Sequence, residues 1–179
     1  GIGFLWSRKE ILEKIPPLFG GGEMIQDVFE ESSTWAELPH KFEAGTPAIA
    51  EAIGLAEAIN YINTIGLNEI HEYEKNITKY LFEKLSAIEN VEIIGPSPEI
   101  DPKRASLATF YVKNIHSNDI AEILDSKGIC IRSGHHCCQP LHRYIGIKST
   151  ARISMNFTTN KEEIDMFIEK LKDTIDFLK

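Results

Sequence analysis

The stretch from Thr150 to Phe157 alternates without a break. Ala151, Ile153, Met155 and Phe157 fall on one side, and Arg152, Ser154 and Asn156 on the other. A two-residue period of this kind fits a strand with one buried face and one polar face. It runs directly into Asn160-x-x-Glu163, a capping-box pattern, and then into Ile164, Phe167, Ile168, Leu171, Ile175 and Leu178 at helical spacing. A strand followed at once by an amphipathic helix must be completed by further strands.

The preceding residues supply them. Val91–Ile94 and Ser106–Val112 read as strands, separated by the turn-rich GPSPEIDP segment. Ser117 or Asn118 is the expected cap of a helix that buries Ile120, Ile123 and Leu124 and stops at Gly128. Ile129–Arg132 reads as another strand. From about residue 88 the order is therefore strand, strand, helix, strand, strand, helix. That order predicts a small, mainly antiparallel sheet covered by helices, an α+β unit within an α/β protein.

The first half is organised differently. Ile2–Ser7 reads as an apolar strand, and Gly-Ile-Gly-Phe-Leu-Trp looks like the middle of a buried one, so the chain is expected to begin inside a larger protein. Lys9–Ile15 fits one or two helical turns ended by Pro16-Pro17. Gly20-Gly21-Gly22 marks a tight turn or a close approach to the backbone. Met24–Trp35 reads as strand and loop. Thr46 is the expected N-cap, with Pro47 at the first position, of a helix carrying Ile49, Ile53, Ala56, Ile59 and Ile62. Gly66 ends it, and a second helix runs from about Asn68 to Ser86 on Ile70, Ile77, Tyr80, Leu81 and Leu85.

A formal net charge of -8 argues against a nucleic-acid partner and against a polybasic membrane anchor. No apolar run reaches the roughly 20 residues needed to span a bilayer. Three cysteines do not make a secreted disulfide framework, so reduced thiols in a cytoplasmic compartment, or an organellar stroma or matrix, are expected.

The reactive side chains crowd into GICIRSGHHCCQPL, residues 128–141. His135, His136, Cys137 and Cys138 are all ligand types for zinc, but four adjacent residues do not converge on one tetrahedron, so no metal is expected. Cys130, between Ile129 and Ile131, reads as a small core residue. Cys137 has Arg132, His135 and His136 within five residues, the surroundings that activate a thiol on an accessible loop. Gly134 lets that loop turn and Pro140 limits its freedom. If the strands holding Arg132 and Arg152 are neighbours, two guanidiniums meet at one pocket, a fork suited to a carboxylate. Gly45-Thr46 at a helix start is either a plain cap or an anion site.

RSGHHCCQPL at 132–141 resembles the active-cysteine segment of group II, SufS-type cysteine desulfurases, which are class V aminotransferase-like, fold-type I pyridoxal-phosphate enzymes. PPLFGGGEMI at 16–25, HKFEAGTPAIAEAIGLAEAI at 40–59 and ARISMNFTTNKEEID at 151–165 are similar to further segments of that family, in the same order. The resemblance implies the C-terminal part of such a fold, with 1–45 the end of the large cofactor domain and 46–179 a linking helix and the small domain. It implies removal of sulfur from L-cysteine to give alanine and a persulfide on Cys137. It implies Arg152, Arg132 and His136 as substrate-binding residues, and Gly45 and Thr46 as residues that reach the pyridoxal 5'-phosphate of the partner's site in a homodimer. The glycine run matches a loop near the site entrance. The sulfur would pass to an acceptor of the SufE or SufU type for iron–sulfur cluster assembly. The family's cofactor-anchoring lysine lies in a Ser-Gly-His-Lys segment, and no lysine here has that context. These residues alone are therefore expected not to turn over cysteine. A selenocysteine lyase, or a non-catalytic domain binding a sulfur acceptor, are the alternatives.

Overall fold

The computed structural model describes residues 1–179, which fall into two compact units, Gly1–Thr64 and Ile65–Lys179.

In the first unit α1 spans Lys9–Lys14. Ile15 leaves it in an extended conformation, as the residue before a proline must. Lys41 Nζ donates to the carbonyls of Leu12 and Glu13, each at 3.1 Å, and satisfies the end of that short helix. β1, Ile25–Val28, and β2, Ser33–Trp35, form an antiparallel hairpin beside the fully buried Met24. The glycine run lies against Ala44 and Gly45: Gly45 N donates to Gly22 O at 2.9 Å, and a Cβ on Gly21 would stand 3.5 Å from Gly45 N.

Two expectations fail in this unit. Ile2–Ser7 is not a strand. No segment pairs with it, and Phe4, Leu5 and Trp6 are exposed. An apolar run forms a strand only where a neighbour takes its backbone hydrogen bonds. Thr46 is not the N-cap either. The helix α2 spans Ile49–Ile65, and Ala52 N donates to Ala48 O, so Ala48 holds the cap position and Pro47 lies outside the helix. The helix forms as expected, but no residue of it is buried, and Ile49 and Ile53 are more than half exposed.

The second unit holds the core. α3, Leu67–Ser86, starts after Gly66, whose φ of 95° breaks it from α2. It buries Ile77, Thr78, Leu81, Phe82 and Leu85. β3 (Val91–Ile94), β4 (Leu107–Val112), β5 (Arg132–Gly134) and β6 (Thr150–Ser154) form one sheet in the order β3-β4-β6-β5, antiparallel throughout. α4 spans Ser117–Ser126, a short α5 spans Gln139–Ile145, and α6 spans Lys161–Leu178.

Ala108, Phe110 and Val112 of β4 and Ala151 of β6 point into a core with α3, α4 and α6. Phe110 meets Phe167 edge-on, centroids 6.2 Å apart. Burying each such ring contributes roughly 1.5–3 kcal/mol. α6 begins with the expected capping box, Asn160 Oδ1 accepting from Glu163 N at 2.8 Å and Glu163 Oε2 from Asn160 N at 2.9 Å. The alternation of β6 sends Arg152 to the face opposite Ala151, away from the three helices.

Four local readings are corrected here. The cap of α4 is His116, whose Nδ1 accepts from Asn118 N at 3.2 Å; Ser117 is already helical and buried. Residues 129–131 are not a strand, since pairing with β6 starts only at Arg132. Cys130 is exposed rather than core, with Sγ 3.7 Å from Asp125 Oδ1, while Ile129 takes the buried place. Pro140 does not restrain a loop but occupies the first turn of α5, where its missing N–H costs nothing.

Candidate active site

The site grows from the register of the two strands at one end of the sheet. β5 pairs with β6 so that Arg132 lies directly opposite Arg152, followed by Ser133 opposite Ala151 and Gly134 opposite Thr150. Directly paired residues share a face, with Cβ atoms about 4.5–5.5 Å apart. Two like charges are thus held together. All eight ion pairs of the chain are made by lysines or by His40, and none involves an arginine. Arg152 Nε is buried with no partner. Two arginines on one face of the sheet, neither in an ion pair, are suited to hold an anion.

Gly134, at φ 109°, turns the chain out of β5. His136 and Cys137 follow with φ of 50° and 61°, a left-handed conformation that costs side-chain-bearing residues about 1 kcal/mol or more each. The turn is closed by Cys138 N donating to His135 O at 2.9 Å, and Cys138 Sγ donates to the same carbonyl at 3.0 Å. α5 then starts, and Gly146, left-handed at φ 72°, ends it. The effect is to lift Cys137 to an exposed position at the rim of an open cleft of about 520 Å³ lined by Arg132, His135, His136, Cys137, Gln139 and Pro140.

His142 is the buried anchor beneath that turn. Its Nδ1 is 3.1 Å from Cys138 O and 3.9 Å from Cys138 Sγ, and its Nε2 is 3.1 Å from Thr150 Oγ1 on β6. The His135 ring meets it edge-on at 5.4 Å. His136 has both ring nitrogens buried without a hydrogen-bond partner. Burial, first, and then the charge of Arg152 hold its pKa below the ordinary histidine value; the backbone of Thr150 opposes the shift without reaching hydrogen-bond geometry. His136 is therefore neutral at pH 7.

The structure brings Arg132, His136 and Cys137 to one cleft and sets Arg152 opposite Arg132. Gly45 and Thr46 belong to the other unit. Gly45, φ 82°, has its N–H engaged by Gly22 O, while Thr46 is exposed and precedes α2 by three residues. His142 was not legible as a site residue. The spacing of Cys138 and His142, one helical turn, was its only signal.

A family model for aminotransferase class V matches residues 1–167. A probable cysteine desulfurase of Synechocystis sp. (strain ATCC 27184 / PCC 6803 / Kazusa) is 52% identical over 177 residues, covering 99% of this chain and 42% of that protein. The chain thus spans less than half the length of this curated relative. Among solved structures, the apo cysteine desulfurase from Thermococcus onnurineus NA1 matches with a TM-score of 0.84 at 37% identity, over 96% of this chain and 42% of that one. The cysteine desulfurase CsdA (S-sulfonic acid) from Escherichia coli matches with a TM-score of 0.85 at 26% identity, over 97% and 42%.

Proposed function

Because this chain belongs to the class V aminotransferase family, we propose that it is the cysteine-bearing part of a cysteine desulfurase, which takes sulfur from L-cysteine, leaves alanine and holds the sulfur as a persulfide on Cys137. The observation that carries the reading is the unpartnered arginine pair opposite one another on β5 and β6, with Arg132 lining the same cleft as an exposed thiol.

Arg152 and Arg132 bind the substrate carboxylate. Planar forks fixed on strands orient an amino acid better than a mobile lysine would. His136 completes the substrate site. A neutral ring offers one donor and one acceptor without adding a third positive charge beside the arginines. Cys137 Sγ, on its lifted turn, meets the substrate sulfur, and the same exposure lets an acceptor thiol collect it.

Two features fit pyridoxal phosphate, the cofactor of this reading. Thr46 presents an exposed hydroxyl, next to a glycine that crowds nothing, and Arg132 and Arg152 offer the charge that an amino-acid carboxylate needs. When bound, the cofactor supplies an electron sink at the substrate's α-carbon. Gly45 and Thr46 are assigned to its phosphate, in the partner's site of a homodimer. Residues 1–45 would then be the end of the cofactor domain and 46–179 the linking helix and small domain. No lysine here stands in the family's anchoring context, so these 179 residues by themselves are not expected to release alanine. The acceptor is of the SufE or SufU type, in iron–sulfur cluster assembly in the cytoplasm or an organelle.

The test is alanine release and sulfur transfer from L-cysteine by the natural protein that contains this sequence, with pyridoxal phosphate. Arg152→Gln removes a charged bidentate contact, worth about 1.5–3 kcal/mol, and should raise KM for cysteine roughly ten- to hundredfold. Cys137→Ser should abolish persulfide formation. Unchanged KM in the first variant, or normal sulfur transfer in the second, would overturn the reading.

A further inference from the structure

Between Asp125 and Glu162 the sequence has no aspartate or glutamate, although the chain holds 27. At that average density about five would fall there. The same stretch carries Lys127, Arg132, Arg143, Lys148, Arg152 and Lys161, in a chain of net charge -8. The fold gathers part of this charge beside Cys137. A second open cleft, of about 360 Å³, abuts the cysteine cleft: His135 and Gln139 line both, and Arg143 and Lys148 belong to the second. No acidic residue lines either cleft, and neither Arg143 nor Lys148 is in an ion pair. Beyond Lys148 the surface reaches Glu92, whose charge is already met by Lys113 Nζ at 2.8 Å. Leu141 and Tyr144, three residues apart on α5 and so on one side of it, are exposed, Tyr144 at 88%. An open aromatic ring beside an unpaired arginine is what the centre of a protein interface is made of.

We propose that this α5 face, with Arg143 and Lys148 as its charges and Leu141 and Tyr144 as its apolar anchors, docks a sulfur-acceptor protein that presents its thiol from an acidic surface. This rests on the reading of Cys137 given above. An acidic segment is repelled by the rest of this chain and attracted here, so it arrives beside the thiol that holds the sulfur. The charges line concavities, which a protruding protein loop enters and a bilayer surface does not. Acidic neighbours keep the acceptor's thiol protonated in solution, and Arg143 and Lys148 offset that penalty once it is docked. The acceptor thiol gives its proton to solvent, and its thiolate attacks the outer sulfur of Cys137–S–SH. The S–S bond to Cys137 breaks as the S–S bond to the acceptor forms. Cys137 leaves as a thiolate and takes a proton from solvent. No net oxidation occurs: one persulfide and one thiol become one thiol and one persulfide.

The test uses the natural protein that contains this sequence, with pyridoxal phosphate and L-cysteine, and two short thiol peptides of equal length. One carries its cysteine among aspartates and glutamates, the other among serines, and sulfur gained by each is read by mass. At low salt the acidic peptide should take sulfur at least about tenfold faster than the neutral one. In 1 M NaCl, where the Debye length is about 3 Å, the ratio should fall toward one. Arg143→Glu or Lys148→Glu should slow the acidic peptide about fivefold or more, and leave the neutral peptide and alanine formation unchanged. Lys172→Glu, the same charge change on an exposed residue of α6, should alter none of these rates. Equal rates for the two peptides, or an equal loss in Lys172→Glu, would overturn the docking face and leave the proposed function standing. So would slower alanine formation in Arg143→Glu, which would give the face to the protein's own fold. So would sedimentation of the protein with phosphatidylserine vesicles that Arg143→Glu abolishes, which would give it to a membrane. Sulfur that never reaches Cys137 removes both.

Discussion

Arg132→Gln should make this protein more stable. Arg132 and Arg152 are direct cross-strand partners, and neither has an acidic neighbour. Like charges directly opposite on a sheet cost about 0.2–1 kcal/mol. Arg132 is exposed, so solvent screening keeps the value in the lower half of that range, about 0.5 kcal/mol. For a unit the size of Ile65–Lys179 that is a rise in Tm of about 2 °C. The assay is thermal denaturation followed by circular dichroism at low ionic strength, with Arg132→Lys as the control that keeps the charge and the original Tm. In 1 M NaCl, where the Debye length is about 3 Å, the gain should vanish. A variant less stable than the wild type, or a gain that survives 1 M salt, would show that the two guanidiniums do not repel. Arg132 and Arg152 would then not form the electropositive pair that suits a carboxylate. The expectation is a trade: the variant that folds better should bind cysteine worse.

Other predictions follow from the same geometry. Asn160→Ala removes the side-chain half of the α6 capping box, the bond from Glu163 N to Asn160 Oδ1, and should cost about 1 kcal/mol, seen as a Tm lower by about 4 °C. By NMR, His136 should titrate below the ordinary histidine range, and Arg152→Gln should move it up only part of the way, because burial is the larger cause. The sign follows from linkage. With its folded pKa lowered, His136 contributes stability that is present above the unfolded value of about 6.5 and is lost as pH falls through the lowered one. Asp165 is likewise held below its usual value, by the Tyr80 hydroxyl and by Lys84. Asp165→Asn should therefore flatten the loss of stability as pH falls below about 4.

The small α+β unit was legible because its signals are local and agree with one another. The alternation of 150–157, the Asn160 box and the α3 stripe each fix an element without help from elsewhere. What misled was context. Ile2–Ser7 has strand composition but no strand to pair with. Thr46-Pro47 has the composition of a helix start, yet the helix begins at Ile49. His116 caps α4 with a ring nitrogen beside serine and asparagine that look better suited. In the site, the neighbouring arginines were foreseen conditionally, and the register of β5 with β6 supplied the condition. The helix after Cys138 was not foreseen, because seven residues starting with Gln-Pro carry too little periodicity to distinguish from a loop. With that helix hidden, the place of His142 under the cysteine turn was hidden too. The exposure of Cys130 is a consequence of where pairing starts, which composition does not reveal.

The central claim is that Cys137 receives sulfur from L-cysteine. Its most direct test supplies pyridoxal phosphate and L-cysteine to the natural protein that contains this sequence, and maps its peptides for one added sulfur atom at the first time point. The expected result is that sulfur atom on Cys137, accompanied by alanine. Alanine without sulfur on Cys137, or bound cofactor with neither product, would contradict it.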